Sequence, residues 1–284
     1  MKVRVVRMII DGKMIKQQII DELRDMVDDL SDKPGFVVIQ VGHDEASNVY
    51  IKQKEKMALD IGYDFRHIKF NENVTTDEII SMIDKFNNDD NIHGIMVQMP
   101  LPKHLDLGKI QNAILPDKDI DGLCWLNNGK LMLGEDGLYS CTPTGVMELL
   151  NRYNIDVVGM NAVVVGRSNL VGKPMSMMLI NAGATVTVCN SRTKDLAKYT
   201  KEADLLIVAV GKPKLITADM VKDNAVVIDV GISRLESGLC GDVDYDSVSE
   251  KASYITPVPG GVGPMTVAML AKNVYKAYTR CKKK

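Results

Sequence analysis

The sequence predicts an α/β protein of two domains, each with a mainly parallel sheet flanked by helices, the C-terminal domain being Rossmann-like. Two observations predict this class. Short apolar runs rich in Val and Ile alternate with amphipathic stretches, which is the pattern of parallel strands joined by helices. The second half opens with a strand, a glycine-containing turn, a helix and a strand, as dinucleotide-binding folds do. The 284 residues suffice for two domains with their own cores.

The individual elements follow from hydrophobic periodicity and turn residues. Apolar residues at helical spacing predict an amphipathic helix over residues 13–30, and the run over 36–42 predicts a strand buried on both faces. The other predicted first-half elements are a helix carrying Tyr50 and Lys54, a strand over 64–70, a helix over 76–86, a strand over 93–99, a loop over 124–142 and a helix over 142–150. The predicted second-half elements are strands over 162–166, 185–189, 203–210 and 225–231, a loop and turn over 241–245 and a final helix over 265–278.

Composition excludes several classes of function. A net charge of −2 argues against general nucleic-acid binding, which needs a concentrated basic surface. The basic run Lys282, Lys283 and Lys284 is interpreted as a solvated end. No apolar stretch approaches the roughly 20 residues that a membrane helix needs, and the N-terminal residues lack a signal-peptide pattern. We therefore expect no nucleic-acid or membrane partner.

The cysteines and histidines indicate neither disulfides nor a metal. Five cysteines are scattered without CxxC spacing, which is typical of free thiols in a reducing cytosol. Four histidines show no ligand spacing either, so we expect no metal site. The free thiols lead us to expect a cytoplasmic protein.

Tyr50 and Lys54 are the first catalytic candidates. They stand four residues apart in a predicted helix, so both side chains project from one face. A lysine screened from water has a lowered pKa and can exchange protons near neutral pH. The pair is also common on ordinary helices, and it becomes a candidate because other unusual segments are expected to converge on it. Asp44 or Ser47 can cap this helix.

Gln98 and Asp121 are the next candidates. Gln98 ends a predicted strand just before Pro-Leu-Pro, and ligands of parallel sheets bind outside the carboxyl ends of strands. Its amide can orient a lysine or a substrate oxygen, or it simply closes the strand. Asp121 lies in the segment PDKDIDGL, where a carboxylate can accept two parallel hydrogen bonds from the edge of a 2-aminopyrimidinone ring. The alternative is a solvated turn, and Asp117 and Asp119 are interpreted as structural.

Residues 162–189 predict a βαβ unit with a phosphate-binding turn. Gly166 and Gly172 delimit the turn, and the following helix has proline in its first turn. The turn departs from the GxGxxG pattern because Ser168 stands where a second glycine is expected. Its position between two strands and a helix favours dinucleotide binding over a plain turn.

The residues after the second strand of this unit indicate which dinucleotide binds. NAD sites usually place an acid there for the ribose 2′-hydroxyl, whereas this sequence has Asn190, Ser191 and Arg192. Together with Arg167, they offer hydroxyl and cationic donors for a 2′-phosphate. NADP is therefore favoured over NAD, with two solvated arginines as the alternative.

A last unusual segment precedes the final helix. Residues 256–270 crowd three glycines and three prolines together. Such a loop lets the backbone approach a ligand closely, and Pro264 suits the start of a helix.

Six motifs stand in order along the chain: YxxxK at residues 50–54, VQMPLP at 97–102, PDKDIDG at 116–122, TPTG at 142–145, GRSNLVGKP at 166–174 and PVPGGVGPMT at 257–266. Together they resemble the bifunctional methylenetetrahydrofolate dehydrogenase/methenyltetrahydrofolate cyclohydrolase family, the FolD type, over nearly the whole chain. The glycine-poor turn is this family's own pattern.

The resemblance implies oxidation of 5,10-methylenetetrahydrofolate with NADP+, then hydrolysis of the 5,10-methenyl product to 10-formyltetrahydrofolate. It implies a cytoplasmic homodimer in which residues 1–140 and 265–284 form the folate-binding catalytic domain and residues 141–264 the NADP-binding domain, with folate in the cleft. One-carbon metabolism for purine, methionine and histidine biosynthesis would be its setting.

The resemblance also implies roles for individual residues. Lys54 would be the central catalytic residue, Gln98 its orienting partner, and Tyr50 a stacking or hydrogen-bonding partner of the folate. Asp121 would hold the pterin edge. The other implied folate contacts are Val97, Met99, Pro259, Gly260, Gly261, Pro264 and Thr266. The implied NADP contacts are Gly166, Arg167, Ser168, Ser191, Arg192 and Ile232.

Alternative functions stay open at this point. A shikimate- or amino-acid-dehydrogenase-like NADP oxidoreductase also places a substrate domain before an NADP domain, and a dehydrogenase lacking cyclohydrolase activity is a further possibility. Short-chain dehydrogenases use a Tyr-x-x-x-Lys pair too, but after the nucleotide turn, whereas here the pair precedes it. A non-catalytic NADP-binding regulator would leave Gln98, Asp121 and the glycine-proline loop without a common purpose.

Overall fold

The computed structural model describes residues 8–236 and 238–282, so Lys283 and Lys284 of the basic run lie outside the described residues. The chain forms two compact units. The first-half unit contains residues 17–141 and 267–282, and the second-half unit contains the described residues of 8–16 and 142–266.

The described elements are, in chain order, β1 (Met8–Ile9), α1 (Gly12–Asp28), β2 (Gly35–Val41), α2 (Glu45–Ile61), β3 (Asp64–Phe70), α3 (Thr76–Asn87), β4 (Gly94–Val97), α4 (Leu107–Ala113), α5 (Trp125–Leu133), α6 (Cys141–Arg152), β5 (Asn161–Val165), α7 (Gly172–Asn181), β6 (Thr185–Cys189), α8 (Leu196–Thr200), β7 (Leu205–Val208), a 3-10 turn (Ala218–Met220), β8 (Val226–Asp229), β9 (Ser233–Leu235), β10 (Gly238–Cys240), α9 (Tyr245–Ser249), β11 (Tyr254–Ile255) and α10 (Val262–Cys281). None of these helices combines the length and the apolar run that a membrane crossing requires.

The first-half unit is built on a parallel three-stranded sheet in the order β3–β2–β4. Every residue of the central strand β2 is buried, as its apolar run predicts. Val37 and Ile39 pack on one face against Ile79 and Ile83 of α3. The parallel arrangement brings the carboxyl ends of β2 and β4 to one edge, where Gln98 follows β4.

The second-half unit is built on a parallel six-stranded sheet in the order β1–β11–β8–β7–β5–β6. Its core contains apolar side chains of the central strands, among them Val163, Leu206 and Val227. Strand β5 lies between β6 and β7, which is the βαβ arrangement expected of a Rossmann-like domain. The predicted fold class is therefore confirmed.

The prediction of a loop over residues 124–142 is wrong. Residues 125–133 form helix α5, and Gly134 ends it in a left-handed conformation with φ of +71°. Gly129 lies inside this helix, where an added Cβ would meet nothing within 4 Å. Three glycines in a short stretch indicate a loop by composition. Here Gly134 ends the helix and Gly129 is accommodated within it.

Residues 8–16 belong to the second-half unit, whereas the sequence division placed them in the first domain. The reason is the pairing of Met8 with Tyr254 and of Ile9 with Ile255 in the six-stranded sheet. A two-residue strand has no periodicity from which this pairing can be predicted.

Candidate active site

Helix α2 carries both residues of the Tyr-x-x-x-Lys motif, and a side chain caps its first turn. The Asp44 carboxylate accepts a hydrogen bond from the Ser47 backbone N–H at 2.7 Å, so Asp44 is the capping residue. Lys54 is only 8% exposed, whereas Tyr50 is 51% exposed. The lysine of the motif is thus buried, and the tyrosine is open to solvent.

The Lys54 ammonium group donates a hydrogen bond to the side-chain oxygen of Gln98 at 2.5 Å. Both side chains are buried, although 44 residues separate them in the sequence. Gln98 stands there because its backbone N–H donates to Ile39 and continues the pairing of β4 with β2. The structure therefore joins the two residues that the sequence proposed as catalytic lysine and orienting partner.

A shared carbonyl fixes the orientation of the Gln98 amide. Its Nε2 donates to the backbone oxygen of Met99 at 2.7 Å, which turns Oε1 toward Lys54. The hydroxyl of Ser47 donates to the same oxygen at 3.2 Å. Ser47 is buried, and sequence reasoning considered it only as a cap. Its position seven residues before Lys54, on the same helix face, is the signal that could have identified it.

Burial lowers the pKa of Lys54 below its ordinary value, because desolvation disfavours the charged ammonium. The negative charge of Asp121 opposes this effect without reversing it. The hydrogen bond of the amine goes to the neutral amide oxygen of Gln98 and not to a carboxylate. A lysine in this setting gives up its proton more readily than a solvated one.

Asp121 is partly buried in the turn after β4 and α4, and burial raises the pKa of its carboxyl group to about 6. Asp119 raises this pKa further, and the positive charge of Lys54 lowers it. Asp119 itself accepts hydrogen bonds from the backbone N–H groups of Gly122 and Cys124 and from Asn127. Those bonds hold Asp119 within the turn, as expected of a structural acid. Asp121 is the carboxylate that interacts with Lys54.

Cys141 is a residue of this site that sequence reasoning missed. Its buried thiol contacts the Asp121 carboxyl group and the Ile120 carbonyl, and burial raises the pKa of the thiol well above its ordinary value. Asn273 of α10 donates to the carbonyls of Ile120 and Tyr139. The Asp121 turn is thereby held from two sides by residues distant in sequence.

Two other implied folate contacts differ in position. The Val97 side chain lies in the apolar core with Val37 and Ile39, so only its backbone is at the strand end. Met99 follows Gln98, is partly exposed, and precedes a cis bond to Pro100.

The turn after β5 has the close packing that a phosphate-binding turn needs. A Cβ on Gly172 would lie 2.3 Å from the Gly166 carbonyl oxygen, so only glycine allows α7 to start this close to the strand. Gly166 has φ of +133° and contacts the Ala209 carbonyl. Ser168 replaces the expected glycine, and its hydroxyl accepts a hydrogen bond from the Val171 N–H. These residues fit a dinucleotide without the full glycine pattern.

The other implied NADP contacts also lie in the second-half unit. Arg167, Ser191, Arg192 and Ile232 are exposed at or near the carboxyl ends of β5, β6 and β8. The turn after β6 is ordered by its own side chains, since the Arg192 N–H donates to Asn190 Oδ1 at 3.0 Å. The residues that can face a 2′-phosphate therefore stand on a defined turn.

The glycine-proline loop is held by the start of α1. The backbone N–H groups of Gly12 and Lys13 donate to the Gly260 carbonyl at 2.9 and 3.2 Å. A Cβ on Gly12 would lie 1.8 Å from the Gly261 carbonyl oxygen, so this contact requires glycine. Pro259 is exposed, and Pro264 and Thr266 lie in the first turns of α10.

The second-half unit has the sheet and turn of a nucleotide-binding domain, and the first-half unit carries a buried lysine. The class of protein that they define is an α/β nucleotide-binding oxidoreductase. Two family models cover most of the chain: the tetrahydrofolate dehydrogenase/cyclohydrolase catalytic domain over residues 10–121 and the NAD(P)-binding domain of the same enzymes over residues 140–282. The chain belongs to the tetrahydrofolate dehydrogenase/cyclohydrolase family. The resemblance stated from the six motifs is confirmed, and so are an enzymatic function and a nicotinamide dinucleotide cofactor.

Individual relatives agree over nearly their full length. The bifunctional protein FolD of Nautilia profundicola is 54% identical over 274 residues, covering 95% of this chain and 96% of the relative. That of Bacillus subtilis strain 168 is 50% identical over 276 residues, covering 96% and 98%. The crystal structure of bifunctional FolD from Campylobacter jejuni has a TM-score of 0.95 at 47% identity, covering 97% of this chain and 99% of that chain.

Two further solved structures bear on cofactor and on the alternatives. FolD from Trypanosoma brucei, solved with NADP and an inhibitor, has a TM-score of 0.92 at 34% identity, covering 98% of this chain and 99% of that chain. A shikimate dehydrogenase from Aquifex aeolicus has a TM-score of only 0.51 at 14% identity, covering 90% and 99%, and so shares the fold alone. The shikimate-dehydrogenase-like alternative is not favoured.

Proposed function

We propose that the enzyme oxidises 5,10-methylenetetrahydrofolate to 5,10-methenyltetrahydrofolate with NADP+ and then hydrolyses the product to 10-formyltetrahydrofolate. The observation that carries this proposal is the buried hydrogen bond between Lys54 and Gln98, with the lowered pKa of Lys54 and the Asp121 carboxylate beside it. A simple dehydrogenase has no need of a buried amine that exchanges protons. A cyclohydrolase does, because water must lose a proton and the opening ring must gain one.

In the dehydrogenase step, the residues of the chain serve chiefly to position the reactants. NADP+, when bound, accepts the hydride from the one-carbon bridge of the folate. No side chain needs to exchange a proton in this step, so the contributions of the chain are alignment and exclusion of water. The turn between Gly166 and Gly172 would hold the pyrophosphate.

In the cyclohydrolase step, Lys54 acts as the base that removes a proton from the attacking water and returns it during ring opening. Its lowered pKa makes the neutral amine available, and a nearby cationic substrate would lower that pKa further. Gln98 holds the amine through its side-chain oxygen. Tyr50, on the exposed side of α2, would stack on the folate or hydrogen bond to it.

Asp121 is assigned to the pterin edge. Its carboxyl group has a pKa of about 6, so it is ionised at pH 7 and can accept two parallel hydrogen bonds. Met99, an implied folate contact in the same unit as Asp121, would add to this folate site.

NADP rather than NAD is proposed because the three residues directly after β6, Asn190, Ser191 and Arg192, include no acid. Ser191 and Arg192 stand on an ordered turn, and Arg167 is exposed on the turn after β5. A guanidinium group can hold a 2′-phosphate through two parallel hydrogen bonds, whereas NAD offers it no phosphate at that position.

The assembly and cellular setting are also proposed. The first-half unit would serve as the folate domain and the second-half unit as the NADP domain, in a homodimer. Apolar side chains suited to contact a second copy are exposed on the edge strand β6, at Val188, and on the β9–β10 hairpin, at Leu235 and Leu239.

Five free cysteines favour a reducing cytoplasm. The 10-formyl product would support purine, methionine and histidine biosynthesis.

The test is a coupled assay with 5,10-methylenetetrahydrofolate and either NADP+ or NAD+. Absorbance of the reduced nicotinamide reports hydride transfer, and absorbance of the methenyl compound reports its later hydrolysis. We expect folate-dependent reduction of NADP+ followed by loss of the methenyl signal. Persistent methenyl absorbance would instead indicate a dehydrogenase lacking cyclohydrolase activity.

A further inference from the structure

Two buried carboxyl groups lie at the carboxyl end of the six-stranded sheet, and none of the steps above uses them. Asp229 ends β8 and is 3% exposed, and Asp242 follows β10 and is fully buried. Both belong to the second-half unit. Buried acids without a cationic partner cost stability, so they are retained where they shape something specific.

The two acids bind the backbone of three separate chain segments. Asp229 accepts hydrogen bonds from the N–H groups of Gly231 and Asp242 at 3.0 Å each and from Val243 at 2.8 Å. Asp242 Oδ2 accepts from Val210 and Gly211, which follow β7, at 2.6 and 2.9 Å. Together they tie the ends of β7 and β8 to the segment that follows the hairpin.

Each acid also packs against a glycine beside the other acid. A Cβ on Gly231 would lie 2.2 Å from the Asp242 carboxyl carbon, and a Cβ on Gly241 would lie 1.9 Å from Asp229 Oδ2. Both glycines are therefore required by the carboxyl groups. This reciprocal packing leaves the pair little freedom to move.

The arrangement has an energetic cost. Oδ1 of Asp242 is buried and has no hydrogen-bond partner among the described residues. Burial raises the pKa of Asp229 to about 6, and the negative charge of Asp242 adds to the shift. An apolar packing of these strand ends would avoid both costs, so the acids provide something that apolar side chains do not: fixed positions for five backbone N–H groups.

The fixed segments adjoin the dinucleotide turn. Ala209, directly before Val210, donates its N–H to Val165 at 2.8 Å, and a Cβ on Gly166 would lie 2.4 Å from the Ala209 carbonyl oxygen. Ile232, an implied NADP contact, directly follows Gly231. In Rossmann-like sheets the dinucleotide binds across these strand ends.

We propose that Asp229 and Asp242 are positioning residues that hold the strand ends of the NADP site and are separable from the cyclohydrolase chemistry. The proposal rests on NADP binding by the second-half unit. The proposed hydrolysis step uses Lys54 in the first-half unit and consumes no dinucleotide, so it reports whether that unit of a variant is intact. Thermal unfolding of each variant reports whether the second-half unit is folded.

The experiment compares Asp242→Ala, Asp242→Asn and Asp204→Ala in the full chain. Asp204 is the matched control, because it also accepts a backbone N–H, from Asn161 at 2.9 Å, but lies just before β7 rather than after it. NADP+ affinity is measured by calorimetry, and cyclohydrolase activity is measured with methenyltetrahydrofolate in the absence of dinucleotide.

For Asp242→Ala we expect the NADP+ dissociation constant to rise at least tenfold while cyclohydrolase activity stays within twofold of the parent. Asp242→Asn keeps an oxygen that can accept from Val210 and Gly211, and should stay within about threefold in affinity. Asp204→Ala should leave the affinity within twofold. Rescue by asparagine would show that the accepting oxygen, rather than the negative charge, positions these segments.

Gly231→Ala provides a second, independent disturbance that leaves both acids in place but pushes Asp242 aside. We expect the same loss of NADP+ affinity with cyclohydrolase activity retained. The proposal is overturned if Asp242→Ala and Gly231→Ala bind NADP+ as tightly as the parent. It is equally overturned if both variants lose the two activities together, because the acids would then support the fold as a whole.

Discussion

Ser47 and Gln98 donate hydrogen bonds to the same acceptor, the backbone carbonyl of Met99, at 3.2 and 2.7 Å. Ser47 belongs to α2 and Gln98 follows β4, so this carbonyl joins the helix of Lys54 to the strand end that orients it. The Gln98 amide is left with its oxygen facing the lysine. The Lys54 amine is therefore positioned by a chain of hydrogen bonds between neutral groups.

Removal of the Ser47 hydroxyl should weaken this chain of hydrogen bonds. For Ser47→Ala we expect cyclohydrolase kcat to fall about fivefold, corresponding to one neutral hydrogen bond of about 1 kcal/mol. Hydride transfer should change less than twofold, because it needs no proton from Lys54. Ser81→Ala, at an exposed position on α3, is the control. An equal loss of both activities would show that Ser47 supports the unit in general.

Replacement of the lysine tests the division of labour directly. Lys54→Met keeps the length and apolar stem of the side chain but removes the base, so cyclohydrolase activity should fall by about 10²-fold or more. Some hydride transfer should persist. Lys52→Met, which alters an exposed lysine of the same helix, should leave both activities unchanged. If Lys54→Met abolishes both reactions alike, the amine has no separate role in hydrolysis.

These residues show how far a sequence can predict a site. The periodicity of α2 and the apolar run of β4 are local, so the sequence predicts both elements and the chemistry that Lys54 and Gln98 can perform. The Ser47 contact with Met99 spans 52 residues and leaves no periodic trace. The same is true of Asp229, in a predicted strand, and of Asp242, in a predicted loop, since neither position shows which backbone the carboxylate will bind. Helix α5 was missed because glycine composition outweighed its weak amphipathic pattern.

Asp121→Asn should raise the stability of the free protein while harming its function. The folded-state pKa of about 6 lies above the ordinary value of 3.8, so the ionised carboxylate destabilises the folded state at neutral pH. Asparagine removes that cost, and we expect a gain of up to about 3 kcal/mol in the free energy of unfolding at pH 7.5. The gain should shrink as pH falls through 6 and vanish below about pH 4, where the parent is protonated in both states.

Thermal unfolding of Asp121→Asn between pH 4 and 8 measures this dependence. Asp25→Asn, at an exposed position of α1, makes the same charge change and should show no such gain. Folate affinity of Asp121→Asn should fall while NADP+ affinity holds. Unchanged folate affinity would mean that the pterin contact is assigned to the wrong carboxylate.

Arg192 should determine much of the preference between the two dinucleotides. It is exposed after β6 on a turn ordered by Asn190, and we propose that it holds the 2′-phosphate of NADP. Arg192→Ala should raise the KM for NADP+ by about tenfold or more, since hydrogen bonds to charged groups are worth about 1.5 to 3 kcal/mol. The KM for NAD+ should change less than threefold, because NAD carries a hydroxyl at that position. Lys194→Ala, two residues away and also exposed, controls for a general loss of positive charge. An equal effect of both variants would assign the selectivity to the overall electrostatic field of the surface rather than to a direct contact of Arg192.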